Sequence, residues 1–112
     1  MKLTLIVLSC RDITASKWFY ESLGLVFQEE KHGKGPRHFS AIASGVVLKL
    51  FPISSQERLM DGPRRLGFSV HDLPGVTLTL IAIGTKQIPT ESVDAACFQD
   101  PDGRIVEVTQ EP

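Results

Sequence analysis

The sequence has few of the residues that mark specialised classes of protein. Its 112 residues include two cysteines, two methionines, one tryptophan and one tyrosine. Cys10 and Cys97 cannot form the bridge framework of a small secreted domain, so the composition favours a reduced, cytoplasmic compartment. No stretch approaches the roughly 18–20 apolar residues of a membrane helix. The apolar run at 1–8 is short and precedes no small-residue cleavage site, which predicts a buried strand and no export signal.

An excess of either charge is also missing. The chain carries 12 lysines and arginines against 13 aspartates and glutamates, for a net charge of −1. This balance removes the usual electrostatic reason to expect nucleic-acid binding. A hydrophobic fraction of 42% and a mean hydropathy of +0.03 predict a folded globular chain. The length allows one compact domain, or two small halves that share a core.

What the sequence does contain is an internal repeat. Three pairs of segments match in the same order, two at an offset of 60 residues and one at an offset of 58. The matching segments are 8–13 with 68–73, Gly24 with Gly84, and 45–50 with 103–108. Three ordered matches predict two copies of one structural unit.

Each copy has the pattern strand, helix and three strands, which predicts an α+β fold. The predicted strands are 2–10, 25–30, 37–43 and 45–51, then 65–70, 86–89, 94–99 and 103–109. Asp12 or Thr14 caps the first helix and Asp72 the second, because short side-chain oxygens accept from the free amides of a first turn. The apolar helix faces are Ala15, Phe19 and Leu23, then Val76, Leu80 and Ile83, and each helix ends at a glycine, Gly24 or Gly84.

This element order resembles the vicinal oxygen chelate superfamily, the group of glyoxalase I, fosfomycin-resistance proteins, extradiol dioxygenases and bleomycin-resistance proteins. The resemblance rests on residues 18–24 (WFYESLG) and 100–107 (DPDGRIVE). It implies two βαβββ modules whose curved mixed sheets surround a cleft, with helices on the convex side. We expect one domain over 1–112, with module 1 at 1–53, a polar linker at 54–63 and module 2 at 64–112. The resemblance also implies a homodimer, with modules paired within or across chains.

Metal-dependent members of this superfamily place four ligands on the first and fourth strands of each module. Aligned through Asp12, those positions fall here on Leu5, Lys49, Arg65 and Glu107. Glu107 alone can bind a divalent cation, and one carboxylate does not make a site. We therefore expect no metal at these positions and no cofactor.

The substituted residues leave two interpretations open. In the first, Lys49 or Arg65 forms a structural ion pair with Glu107, because an unpaired buried charge is costly. In the second, the surplus positive charge orients a carboxylate or phosphate of a small ligand. His38, on a predicted strand, is a candidate base if it faces a pocket. Its default role is that of a surface or hydrogen-bonded residue, and the default role of Asp100 and Asp102 is a turn.

Three classes of function follow from these residues. The first is a metal-independent protein that binds a small molecule, anionic if the cations contact it, through Leu5, His38, Lys49, Arg65 and Glu107. The second is a metal-independent lyase or isomerase with Glu107 as general base. The third is a non-catalytic dimeric interaction protein. The small molecule and a second copy of the chain are the expected partners, and neither nucleic acid nor a membrane is expected.

Overall fold

The computed structural model describes residues 2–53 and 65–112. The predicted linker at 54–63 therefore lies outside the described residues. The elements are β1 (Leu5–Cys10), α1 (Ile13–Glu21), β2 (Gln28–Glu30), β3 (His38–Ala43), β4 (Val46–Pro52), β5 (Arg65–Val70), α2 (Leu73–Ala82), β6 (Lys86–Ile88), β7 (Ala95–Gln99) and β8 (Ile105–Gln110). The α+β class and the two βαβββ modules are confirmed. Neither of these helices is long and apolar enough to cross a bilayer.

The eight strands form two open four-stranded sheets with the same plan. The first has the strand order β1-β4-β3-β2 and the second the order β5-β8-β7-β6. In each sheet the first strand of the module pairs in parallel with its fourth, and the other pairings are antiparallel. The strand predicted at 25–30 is shorter than expected, because β2 is an edge strand paired over three residues only.

Asp12 caps helix α1, which begins at Ile13; of the two predicted caps, Asp12 is therefore the correct one. The Oδ1 atom of Asp12 accepts from the backbone N–H groups of Thr14 and Ala15 at 3.0 and 3.1 Å. Phe19 is buried as predicted, but Ser16 and Tyr20 are buried as well. The covered stripe is therefore wider than the predicted spacing of four, as helices packed on a sheet commonly show.

Helix α2 differs from its prediction at its end. Asp72 caps it, accepting from the backbone N–H of Gly75 at 3.1 Å, and Leu80 is fully buried. Ile83, predicted on the packed face, is 48% exposed. The prediction fails because Ile83 is the C-cap residue and its backbone has already left the helix.

Alternate residues of the strands other than β2 and β6 face one shared apolar core. Buried side chains from both modules form a single cluster, which includes Leu8 and Leu50 from the first and Phe98 and Val106 from the second. The opposite side of the first sheet carries the other set of side chains, and neither α1 nor α2 covers it. We call this side the open face; its residues on β1, β3 and β4 include Leu5, Val7, Ser40, Ile42, Val47 and Lys49.

The turn at 100–103 joins the modules through a buried polar network, where the sequence predicted a turn and nothing more. Asp100 accepts through Oδ2 from the Tyr20 hydroxyl at 2.7 Å and from Arg104 Nη1 at 3.2 Å. Arg104 also donates through Nη2 to the backbone oxygen of Ser9 at 2.6 Å. Burial and the nearby Asp100 raise the pKa of Tyr20 well above its ordinary value. Burial alone would lower the pKa of Arg104, but the charge of Asp100 outweighs it and raises that pKa.

Candidate functional site

The structure places two of the predicted site residues together on the open face. Leu5 and Lys49 lie on neighbouring strands, with Leu5 opposite Val47 and Lys49 opposite Val7. Directly opposed and alternate strand residues share one face of a sheet, so both side chains lie on the same side. Leu5 is 48% exposed and Lys49 is half-buried.

The other two predicted residues share one face of the second sheet. Arg65 begins β5 opposite Ile105, and Glu107 lies two residues further along β8, opposite Gly67. Arg65 is exposed and Glu107 half-buried. Within 2–53 and 65–112, no ion pair involves Lys49, Arg65 or Glu107. The structural ion pair that the sequence suggested is therefore not formed among these residues.

A cavity of about 550 Å³ lies elsewhere, where the two modules meet. Apolar residues of β1, β4 and β5 line much of it, and the ion-paired His71 and Glu111 also contact it. Leu5, Lys49, Arg65 and Glu107 are not among its lining residues. The cavity and the open face are thus two distinct surfaces.

The four superfamily metal positions do not fit a metal ion. Leu5 offers no donor atom, Lys49 places a cationic group on its face of the first sheet, and Arg65 places another on the face of the second sheet that carries Glu107. In the described ranges, the one group of three or more His, Cys, Asp or Glu side chains with converging ligand atoms lies elsewhere. It consists of Glu30, His32 and His38.

This second group, which we call the Glu30 cluster, lies at the edge of the open face. Glu30 of β2 is directly opposite His38 of β3, so both side chains share that face. The Nε2 atom of His38 lies 3.5 Å from Oε1 of Glu30, and Nε2 of His32 lies 4.0 Å from Oε2. One ligand atom from each of the three residues lies within 4.8 Å of those of the other two.

The ring of His38 is fixed from two sides. Its Nδ1 atom lies 3.2 Å from the backbone oxygen of Pro36, and the ring stacks on Phe51 with centroids 4.1 Å apart. His38 is only 2% exposed, yet its Nε2 atom has no hydrogen-bond partner, and neither has the buried Oε1 of Glu30. His38 is therefore a buried residue and not a surface one; its Nδ1 atom is hydrogen-bonded, as the default role expected, but its Nε2 atom is not.

Sequence reasoning missed the Glu30 cluster because its residues belong together only through strand register. Glu30 and His38 are eight residues apart in the chain and meet where β2 pairs with β3. The available signal was the pattern of a carboxylate and a histidine at 30 and 32, before a tight turn, with a second histidine on the returning strand.

Comparison with solved structures confirms the fold that the sequence motifs predicted. A glyoxylase/bleomycin resistance protein/dioxygenase domain from a Frankia species aligns with a TM-score of 0.74 and 18% identity, covering 100% of this chain and 98% of its own. The fosfomycin resistance protein FosX of Mesorhizobium loti aligns at 0.69 and 12%, covering 100% and 91%. A possible glyoxalase from Bacillus cereus aligns at 0.67 and 16%, covering 97% and 98%.

The chain therefore has the fold of the vicinal oxygen chelate superfamily. No protein-family model and no curated protein matches the sequence. Because one fold hosts many activities, the function has to be argued from the residues of the site.

Proposed function

We propose that this protein binds a small anionic organic molecule on the open face, with Lys49 as its main polar anchor, and that it does so without a metal at the four superfamily positions. One observation carries the proposal. Lys49 is a half-buried cation with no carboxylate partner among the described residues, on an apolar surface that neither α1 nor α2 covers.

The surroundings of Lys49 favour an anion that is also partly apolar. Val7 and Ser40 are its direct neighbours across the strands, and the exposed Ile42 lies further along the same face. An ammonium group beside apolar surface attracts a carboxylate or phosphate more strongly than one fully in water, because the local dielectric constant is lower. The apolar neighbours then contact the rest of the molecule.

Arg65 and Glu107 belong to the proposal as a second, weaker contact region. They share a face of the second sheet, as Leu5 and Lys49 share one of the first. His38 lies on the open face near Lys49 and completes the residues proposed for binding. The neighbours named for glyoxalase and for resistance to fosfomycin or bleomycin support a small molecule rather than a macromolecule as the ligand.

The proposal is tested by thermal shift with a panel of small carboxylates, organic phosphates and thiol conjugates. A compound that binds the folded state alone raises its stability by about 2.7 kcal/mol at one hundred times its Kd. Hydrogen bonds to charged groups are worth about 1.5–3 kcal/mol. Lys49→Gln should therefore weaken a binding compound by roughly 10- to 100-fold.

Lys17→Gln is the matched control. Lys17 is a partly exposed lysine on α1, paired with Glu21 at 3.5 Å, and it does not lie on the open face. Its loss should leave ligand binding unchanged. Equal binding by the wild type and Lys49→Gln would overturn the assignment of Lys49, and a panel without any binding compound would overturn the function.

A second candidate is self-association through the same face. Leu5, Val7 and Ile42 are between 45% and 71% exposed and lie side by side. Contiguous exposed apolar side chains of this kind are typical of protein–protein interfaces. We propose that a second copy of the chain contacts this face in a homodimer. Analytical ultracentrifugation of the wild type and of Ile42→Lys tests it: the wild type should be a dimer and the variant a monomer, and an unchanged dimer would contradict the assignment.

A further inference from the structure

We propose that Glu30, His32 and His38 bind a divalent transition-metal ion of the zinc type. This site lies on β2, β3 and the loop between them, apart from the four superfamily positions on β1, β4, β5 and β8. The proposal goes beyond the binding function proposed above and does not depend on it.

The protons of His38 give the first argument. The carbonyl oxygen of Pro36 can only accept, so the contact at 3.2 Å requires the proton on Nδ1 of His38. In the neutral ring, Nε2 then carries a lone pair. That lone pair faces Oε1 of Glu30 at 3.5 Å, and both atoms are buried without a partner. Two buried acceptors that face each other need a positive charge between them.

His32 shows why that charge is a metal ion rather than a proton. A proton on Nε2 would satisfy His38 and Oε1 of Glu30, but it would not explain why His32 lies beside both residues. The His32 ring lies 5.4 Å from the His38 ring, and its Nε2 atom lies 4.0 Å from the other carboxylate oxygen. Three donors that converge on one point suit a metal ion. Zinc ligands at 2.0–2.1 Å in a tetrahedral arrangement lie about 3.3 Å apart. The three ligand atoms, now within 4.8 Å of one another, would therefore have to move only slightly closer together.

The supporting contacts are those of a metal-binding histidine. Such a histidine usually donates its other ring N–H to a carbonyl or carboxylate, which fixes the ring and the tautomer. Here Pro36 supplies the carbonyl and Phe51 holds the ring plane by stacking. The nearby cation of Arg37 is paired with Glu29, so part of the positive charge of the loop is already neutralised.

The donor set identifies the class of metal. Two imidazole nitrogens and one carboxylate suit zinc and related transition metals, whereas magnesium and calcium prefer oxygen ligands. Three protein ligands leave a fourth position for water or another oxygen ligand. His32 is strongly exposed, so that position is open to solvent. Since Lys49 lies opposite Ser40, two residues from His38 on β3, an anion bound there would lie on the same face as the metal.

The test is titration of chelator-treated protein with zinc sulfate, in competition with a chromogenic chelator. We expect one zinc ion per chain at micromolar affinity or better. His38→Ala and Glu30→Gln should weaken binding by at least about 100-fold, since loss of even a supporting contact commonly costs 10- to 100-fold. Loss of the exposed His32 in His32→Ala should weaken it less.

The chain has only three histidines, so their NMR signals give a second, direct readout. Zinc should shift the ring signals of His32 and His38 and leave those of His71 in place. His71 is the matched control, because its Nδ1 atom also faces a carboxylate, at 2.6 Å from Glu111, but no third donor of this kind from the described part of the chain converges there. His71→Ala should therefore bind zinc like the wild type.

Three results would overturn the proposal: no binding at micromolar zinc, undiminished binding by Glu30→Gln and His32→Ala, or an equal loss in His71→Ala. Glu30 and His32 are partly exposed, so these variants test the site even if His38→Ala fails to fold. The zinc titration contains no organic ligand. If Lys49→Gln still binds zinc, the metal site holds whether or not the proposed function does.

Discussion

The hydrogen bonds around Asp100 should contribute measurably to the stability of the contact between the two modules. Tyr20→Phe removes one hydroxyl group and little volume, so its effect isolates the hydrogen bond from Tyr20 to Asp100. That bond is 2.7 Å long, and the side chain of Asp100 is fully buried. Charge-assisted hydrogen bonds of this length are the stronger kind in proteins.

The expected loss follows from the partners that Asp100 keeps. Its Oδ2 atom retains Arg104 Nη1 at 3.2 Å, and its Oδ1 atom retains the backbone N–H groups of Asp102 and Arg104, both at 2.9 Å. The buried carboxylate therefore loses one hydrogen bond in Tyr20→Phe and keeps these others. A single hydrogen bond to a charged group is worth about 1.5–3 kcal/mol. We expect Tyr20→Phe to lose about 2 kcal/mol of unfolding free energy, or about 8 °C in Tm at roughly 4 °C per kcal/mol.

Urea unfolding followed by circular dichroism measures the change. Ser22→Ala is the matched control, because Ser22 also donates a side-chain hydroxyl hydrogen bond at the end of α1, to the backbone oxygen of Trp18 at 2.9 Å. That bond is neutral and lies in an exposed setting, so its loss should cost less than about 1 kcal/mol.

The single tyrosine of the chain allows an independent check. Burial and Asp100 raise the pKa of Tyr20, so tyrosinate absorbance should appear only when alkali unfolds the protein. If Tyr20→Phe loses no more stability than Ser22→Ala, or if Tyr20 ionises reversibly in the folded state near its ordinary pKa, the argument for a buried, charge-assisted bond is refuted.

Three further predictions concern other parts of the chain. Burial raises the pKa of Cys10 from 9.0 to about 11. The thiol therefore ionises at lower pH in the unfolded chain than in the folded one, so the free energy of unfolding should fall between pH 9 and 11. The expected fall is about 3 kcal/mol, at about 1.4 kcal/mol per pKa unit. The urea midpoint should fall less across this pH range in Cys10→Ala than in the wild type. Equal falls would contradict the role of the Cys10 thiol. Asp12→Ala should cost about 1 kcal/mol in urea unfolding by removing the cap of α1, more than Asp94→Ala, whose carboxylate caps no helix. Gly84→Ala should lower Tm through a backbone cost of about 1–2 kcal/mol, because φ is +88° and nothing lies near the added methyl; an unchanged Tm would show that the chain relaxes there.

Features set by local chemistry could be predicted from the sequence. The repeat, the capping aspartates Asp12 and Asp72, and the helix-ending glycines depend on near neighbours in the chain. The structure confirms the capping aspartates of both helices and finds positive φ at Gly24 and Gly84. Gly84 directly follows the C-cap residue of α2, whereas α1 ends earlier than predicted: its C-cap residue is Ser22, so Leu23 and Gly24 lie beyond the helix. Strand alternation also predicts that Leu5, Lys49, Arg65 and Glu107 share one face. The structure places Leu5 and Lys49 on one face of the first sheet and Arg65 and Glu107 on one face of the second.

Features set by pairing between distant segments could not be predicted in this way. Asp100 and Asp102 form the turn that the motif indicates, but their burial depends on Tyr20 and Arg104 meeting them across the module junction. Glu30 and His38 are opposed only because β2 and β3 pair in one particular register. A shift of that register by one residue would put the two side chains on opposite faces, and no local signal fixes it.

The contact between Arg104 and Ser9 has a consequence for how the protein is made. These residues are 95 positions apart, so the hydrogen bond to the Ser9 carbonyl can form only after Arg104 has left the ribosome. The first module can pair β1 with β4 before that, but its polar junction with the second module has to wait for Asp100 and Arg104. Since long-range contacts form late and slow folding, we expect the two modules to dock only after the hairpin of β7 and β8 has been synthesised.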